Sequence, residues 1–148
     1  MWDDFEENWD DDENQEDEHS DLSLPPLLKK ANDIVRLTFA LVGSLDEARR
    51  ALYGNLMLSD AKVIPFLFQE AESSTDYLFK MEHAVLMKVH ARKLHAMTYQ
   101  LAGEGTHAEE HLQLLRDAIK ELKFLFAAWV NNFDSSQKKD DGWGLFLS

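Results

Sequence analysis

Residues Thr106 to Phe133, THAEEHLQLLRDAIKELKFLFAAWVNNF, decide the fold. Leu112, Leu115, Ala118, Ile119, Leu122, Leu125, Phe126, Trp129, Val130 and Phe133 recur at spacings of three and four, which gathers them on one face of an α-helix. Thr106 with Glu109 has the form of a capping box, in which a hydroxyl and a carboxylate satisfy the free amides of the first turn. Asp134-Ser135-Ser136 ends the run. A helix with one apolar face must bury it, so the rest of the chain has to supply the partners.

Three more helices are legible upstream. Gly103 and Gly105 bracket a turn, and before it a helix is expected from about Asp76 to Ala102, with Leu78, Met81, Val85, Val89, Ala96 and Tyr99 facing inward. Ahead of the Ser73-Ser74-Thr75 turn, a helix is expected from a Ser44/Glu47 capping box to about Glu72, with Leu45, Leu52, Leu56, Val63 and Leu67 on its inner face. Gly54 and Pro65 lie inside it. Pro65 offers no N–H to Ala61, which predicts a kink, or a split near Ser59-Asp60. The first helix follows Ser23 as N-cap, with Pro25 and Pro26 in its first turn. It buries Leu27, Ala31, Ile34, Val35, Thr38, Leu41 and Val42 and is expected to stop at Gly43. Short connections force neighbouring helices to run antiparallel. The expected fold is all-α, an antiparallel up-down-up-down four-helix bundle over residues 22–134.

The flanks differ. Met1 to Asp21 carries twelve of the chain's 28 carboxylates and no Lys or Arg, whereas the following residues hold 16 acidic and 15 basic groups. Residues 1–21 therefore read as a disordered acidic arm, since like charges repel and little apolar surface is available to bury. Trp2, Phe5 and Trp9 interrupt it at spacings that would align on one helical face. Residues 135–148 read as an aromatic C-terminal tail in which Asp140-Asp141-Gly142-Trp143-Gly144-Leu145-Phe146 is expected to fold back on the bundle.

Composition narrows the function. With no cysteine, disulfides and Cys-based metal sites are excluded, which suits a reducing cytoplasm. The acidic N-terminus is unlike a secretory signal, and no apolar run approaches the roughly 20 residues of a membrane span, so no membrane partner is expected. Lys29-Lys30, Arg49-Arg50, Arg92-Lys93 and Lys138-Lys139 are scattered, so no nucleic-acid partner is expected either. There is no Gly-rich phosphate loop, nucleophile motif or His-Glu-x-x-His run.

A few polar residues fall in apolar sectors. Glu70, Glu82, His83 and His90 are candidate metal ligands, as carboxylates and histidines are in ferritin-like bundles. The Glu-x-x-His motif of those bundles occurs on no expected helix. The plainer expectation is that Asp60 pairs with Arg92 and that the glutamates are edge residues meeting Lys or water. His107 and His111 lie too far along the chain to converge with His83 and His90, and no cofactor is expected. Leu58, Phe66, Phe68, Phe79, Leu86, Met97 and Phe124 project outside the narrow core stripes, which implies a broad core or a homodimer face.

The closing pattern of Phe126, Trp129-Val130 and Phe133-Asp134 with Asp141-Gly142-Trp143-Gly144-Leu145-Phe146, together with Ala61-Lys62-Val63-Ile64-Pro65 and Met81-Glu82-His83-Ala84, resembles small uncharacterised helical-bundle proteins of bacteria. The resemblance covers the second to fourth helices and the tail. It implies a bacterial, cytoplasmic bundle and carries no activity or site.

The leading expectation is a non-enzymatic protein-interaction or regulatory module. Trp2, Phe5 and Trp9 would be its partner-binding residues, and the surrounding carboxylates would steer it to a protein with a basic surface. The alternative is a metal-binding bundle or a small-ligand enzyme built on Glu70, Glu82 and the histidines.

Overall fold

The structure, a computed structural model, describes residues 23–105 and 109–145, and these form four helices with no strand among them. The expected arm with Trp2, Phe5 and Trp9, the Thr106 cap, His107 and Phe146 lie outside the described residues.

Helix α1 spans Pro26–Ser44. Pro25 holds the N-cap position in place of the expected Ser23, and Pro26 opens the first turn, where a missing N–H costs nothing. The buried face is Leu27, Leu28, Ala31, Ile34, Thr38, Leu41 and Val42, close to expectation. Thr38 is buried at no cost in unmet polarity because its hydroxyl donates to the Ile34 carbonyl at 2.7 Å. Gly43 does not stop the helix; one more residue is helical before Leu45 turns extended. The free carbonyls there are met by Arg50, whose guanidinium donates to Val42, Gly43 and Leu45.

Helix α2 comprises Glu47–Arg49, a π-helical turn over Arg50–Gly54, and Asn55–Glu72. Its backbone stays right-handed helical through both junctions, so it is one element. The cap is Asp46, which accepts from the Arg49 amide at 2.9 Å, and not the expected Ser44, whose hydroxyl bonds back to Leu41. Pro65 does not split the helix, which is continuous past it. The irregularity lies earlier, at the π turn. There a side chain on Gly54 would come within 3.1 Å of Val42, so glycine lets α1 and α2 approach closely.

Helix α3 spans Tyr77–Glu104, capped by Asp76 and closed by Gly105 in the left-handed region at φ 70°. Its inner face differs from expectation. Ala84, Met87, Ala91, Leu94, Thr98 and Leu101 form the inward heptad, while Val85, Val89, Ala96 and Tyr99 face solvent. Apolar residues occur on opposite sides of the helix, so two stripes fit the same period. The stripe through Ala96 and Tyr99 passes Arg92, and turning it inward would desolvate a charge without a partner.

Helix α4, Glu109–Asn131, buries Leu112, Leu115, Arg116, Ala118, Ile119 and Leu122. Its C-terminal aromatics close one end of the molecule: Trp129 packs on Phe68 and Phe133 with ring centroids 5.1 and 4.7 Å apart. A 3-10 turn, Ser135–Gln137, rests on α3, but Trp143 and Leu145 beyond it are 82 % and 80 % exposed. The tail does not fold back at these two residues.

Each helix packs on two others, α1 on α2 and α4, and α3 on α2 and α4. Facing residues climb on one helix as they fall on the next. Tyr53, Asp60 and Glu70 on α2 meet Glu104, His90 and His83 on α3. Ile34, Leu41, Met57, Ile64, Met87, Leu94, Leu101, Leu112 and Leu115 fill the shared core. Of the apolar residues outside the expected stripes, Phe68 is buried, Leu58, Phe79 and Met97 are half-buried, and Phe66, Leu86 and Phe124 are exposed. Among the described residues no helix is long and apolar enough to cross a membrane.

Candidate functional site

The polar side chains gather along the seam between α2 and α3, because the turn of α3 presents its histidine edge to α2. His83 touches Glu70 through Nε2 at 2.8 Å, and its Nδ1 lies 2.9 Å from the Phe79 carbonyl. Both ring nitrogens are thus engaged within the fold. About two helical turns along, His90 Nδ1 meets Asp60 Oδ1 at 2.7 Å. At the far end of the seam, Glu104 accepts from the Tyr53 hydroxyl at 2.7 Å and from Arg49 Nε at 3.3 Å. The Tyr53 hydrogen bond, followed by Arg49, holds the Glu104 carboxyl below its ordinary range, and the same contact holds the Tyr53 phenol above its own.

The structure brings Glu70 together with His83 and leaves His90 on Asp60. Glu82 is exposed and joins neither pair. Arg92, the expected partner of Asp60, is also exposed, and His90 takes its place. Among the described residues no three His, Asp or Glu come together in a way that could hold a metal ion. Each of these pairs links α2 to α3.

A second polar cluster was not legible in the sequence. Arg116 is buried between α3 and α4. Its Nε donates to the Thr98 hydroxyl at 2.9 Å, Nη2 to the Thr98 carbonyl at 3.1 Å, and Nη1 to Glu109. The guanidinium lies over the Tyr99 ring, 4.2 Å from its centroid. The available signal was position: on a helical wheel Arg116 falls beside Leu112 and Ile119, inside the apolar arc.

The outward surface of α3 completes the picture. Val85, Leu86 and Val89 are 44 %, 46 % and 39 % exposed, and Lys88, Arg92 and Lys93 surround them without an ion pair among the described residues. The two recorded surface hollows are shallow and lie elsewhere, one along α2 near Phe66 of about 470 Å³ and one between α1 and α4 of about 410 Å³. A scan against protein-family models gave no match, and comparisons with curated proteins and with solved structures gave none either.

Proposed function

We propose that this chain is a non-enzymatic protein-interaction module of the cytoplasm. An antiparallel up-down-up-down four-helix bundle acts as carrier, and residues 1–21 act as the working arm. The observation that carries the proposal is the segregation of charge, twelve carboxylates and no Lys or Arg in 21 residues beside a nearly neutral remainder. Trp2, Phe5 and Trp9 within that segment are the anchors, since aromatic side chains dominate the energy of small interfaces. The carboxylates around them favour a partner with a basic rim and speed the encounter. The antiparallel pairing seen at Tyr53–Glu104, Asp60–His90 and Glu70–His83 supports the bundle topology. The seam histidines support a structural role for themselves, because their contacts are already taken up within the fold. Affinity capture with the full chain and with a chain lacking Met1 to Asp21 tests the proposal. A partner retained only by the full chain is expected; one retained equally by both would move the interface to the bundle.

A further inference from the structure

We propose that the outward face of α3 is a docking surface for the chain's own acidic arm, residues 1–21, so that the arm is held on the bundle until a partner displaces it. This rests on the arm being the working segment. The first argument is charge. Residues 83–103 form the longest run in the chain without Asp or Glu, and they carry Lys88, Arg92 and Lys93. None of the three cations has an ion pair among the described residues, although Lys30, Arg36, Arg49, Lys80 and Arg116 show that cations in this chain do find carboxylates where these are near. An unpartnered basic face and a segment with twelve carboxylates in one chain attract each other.

The second argument is shape. At 100° per residue Val85, Val89 and Ala96 fall within about 40° of one another, with Lys88 and Arg92 on one side and Lys93 on the other. The arm has the complementary pattern. Trp2, Phe5 and Trp9 align at spacings of three and four, flanked by Asp3, Asp4, Glu6, Glu7 and Asp10. Exposed apolar residues elsewhere have carboxylates among their basic neighbours: Phe124 on α4 lies one turn from Glu121, and Leu56 on α2 lies one turn from Asp60. Glu82 bounds the α3 face at its N-terminal end.

The third argument is reach. Helices α1 and α3 begin at the same end, because each runs antiparallel to α2. With neighbouring axes 8–10 Å apart, helices across a square bundle stand about 14 Å apart. Val89 lies about 18 Å along α3 from Tyr77. The 14 residue steps from Trp9 to Ser23 span up to about 46 Å when extended, enough to round the bundle and climb to that level.

The chain has no cysteine, so an Asn8→Cys variant of the full chain accepts a single nitroxide label. Amide resonances of residues 85–93 are expected to broaden at low ionic strength and to recover in the Lys88→Glu/Arg92→Glu/Lys93→Glu variant. They are also expected to recover in part in the unsubstituted face at about 1 M salt, where the Debye length is about 3 Å, which serves if the triple variant fails to fold. An α3 that stays sharp, or broadening spread equally over α1 and α4, overturns the proposal. Broadening transferred to an isotope-labelled chain mixed with a spin-labelled one would assign the arm to a second copy and overturn it also. Partner capture that requires Trp2, Phe5 and Trp9 while α3 stays sharp would sink the docking and leave the partner proposal standing.

Discussion

Tyr53 and Glu104 meet at 2.7 Å across the seam between α2 and α3, phenol donating to carboxylate, although 51 residues separate them in sequence. Arg49 reaches the same carboxylate. The contact lowers the proton affinity of Glu104 and raises that of Tyr53, so it shapes stability at both ends of the pH scale. A carboxyl lowered in the folded state contributes stability that is present above its ordinary value of 4.5 and is lost as pH falls through the folded value. A phenol raised in the folded state contributes stability that is present below its ordinary value of 10.0 and is lost as pH rises through the folded value. Glu104→Gln is expected to flatten both limbs of the urea midpoint plotted against pH. An acid limb identical to that of the parent chain would contradict the assignment.

The inward heptad of α3 predicts unequal costs for truncating two apolar residues on one helix. Leu94→Ala is expected to cost about 2–5 kcal/mol, the usual range for opening a cavity in a packed core. Val89→Ala, on the exposed face, is expected to stay within about 0.5 kcal/mol. Denaturant unfolding of the two variants decides the register. Equal costs, or the reverse order, would return α3 to the opposite orientation.

Arg116 is expected to matter more for what it satisfies than for its charge. Arg116→Ala removes the donors that meet the Thr98 hydroxyl and carbonyl and should cost about 1–3 kcal/mol. Arg116→Met keeps the volume under Tyr99 but supplies no donor to Thr98, so little of the loss should be recovered, and a Met variant as stable as the parent chain would contradict this. Thermal unfolding that leaves Met no better than Ala would show the hydrogen bonds to be the whole effect.

Helix α2 runs unbroken through Pro65, so the missing N–H is an internal defect of a continuous helix. Pro65→Ala restores a donor to the Ala61 carbonyl and removes a clash worth about 3 kcal/mol in a free helix, offset by about 1 kcal/mol from the freer unfolded chain. A net gain of about 2 kcal/mol is expected in the melting transition. A loss would mean that the proline ring itself packs against a neighbour.

Much of this architecture was legible in the residues, but the expected inner face of α2 was wrong at Leu52 and Leu56, which are 63 % and 62 % exposed, and the other misses have separate causes. The stripes of α1 and α4 stand out because polar residues bound them sharply, and Asp76 marks the start of α3 clearly. Along α3, however, Val85, Val89 and Ala96 compete with Ala84, Met87 and Leu94, and spacing alone does not choose between them. Turning that helix by about half a revolution exchanges its edges. Asp60 was expected to pair with Arg92, yet it meets His90. Glu70, expected at an edge with Lys or water, meets His83. The cap of α2 was missed by two residues, because Ser44 and Asp46 are both capping types and only the approach of Arg49 distinguishes them. Arg116 was hidden by its type, since an arginine within an apolar arc reads as an edge residue until Thr98 faces it.

The central claim is that Trp2, Phe5 and Trp9 anchor a partner and that charge alone is insufficient. The most direct measurement is affinity capture from a lysate of the source organism, comparing the full chain with a Trp2→Ala/Phe5→Ala/Trp9→Ala variant that keeps all twelve carboxylates. The account predicts a partner held by the parent chain and lost by the variant. Equal retention by both would contradict it.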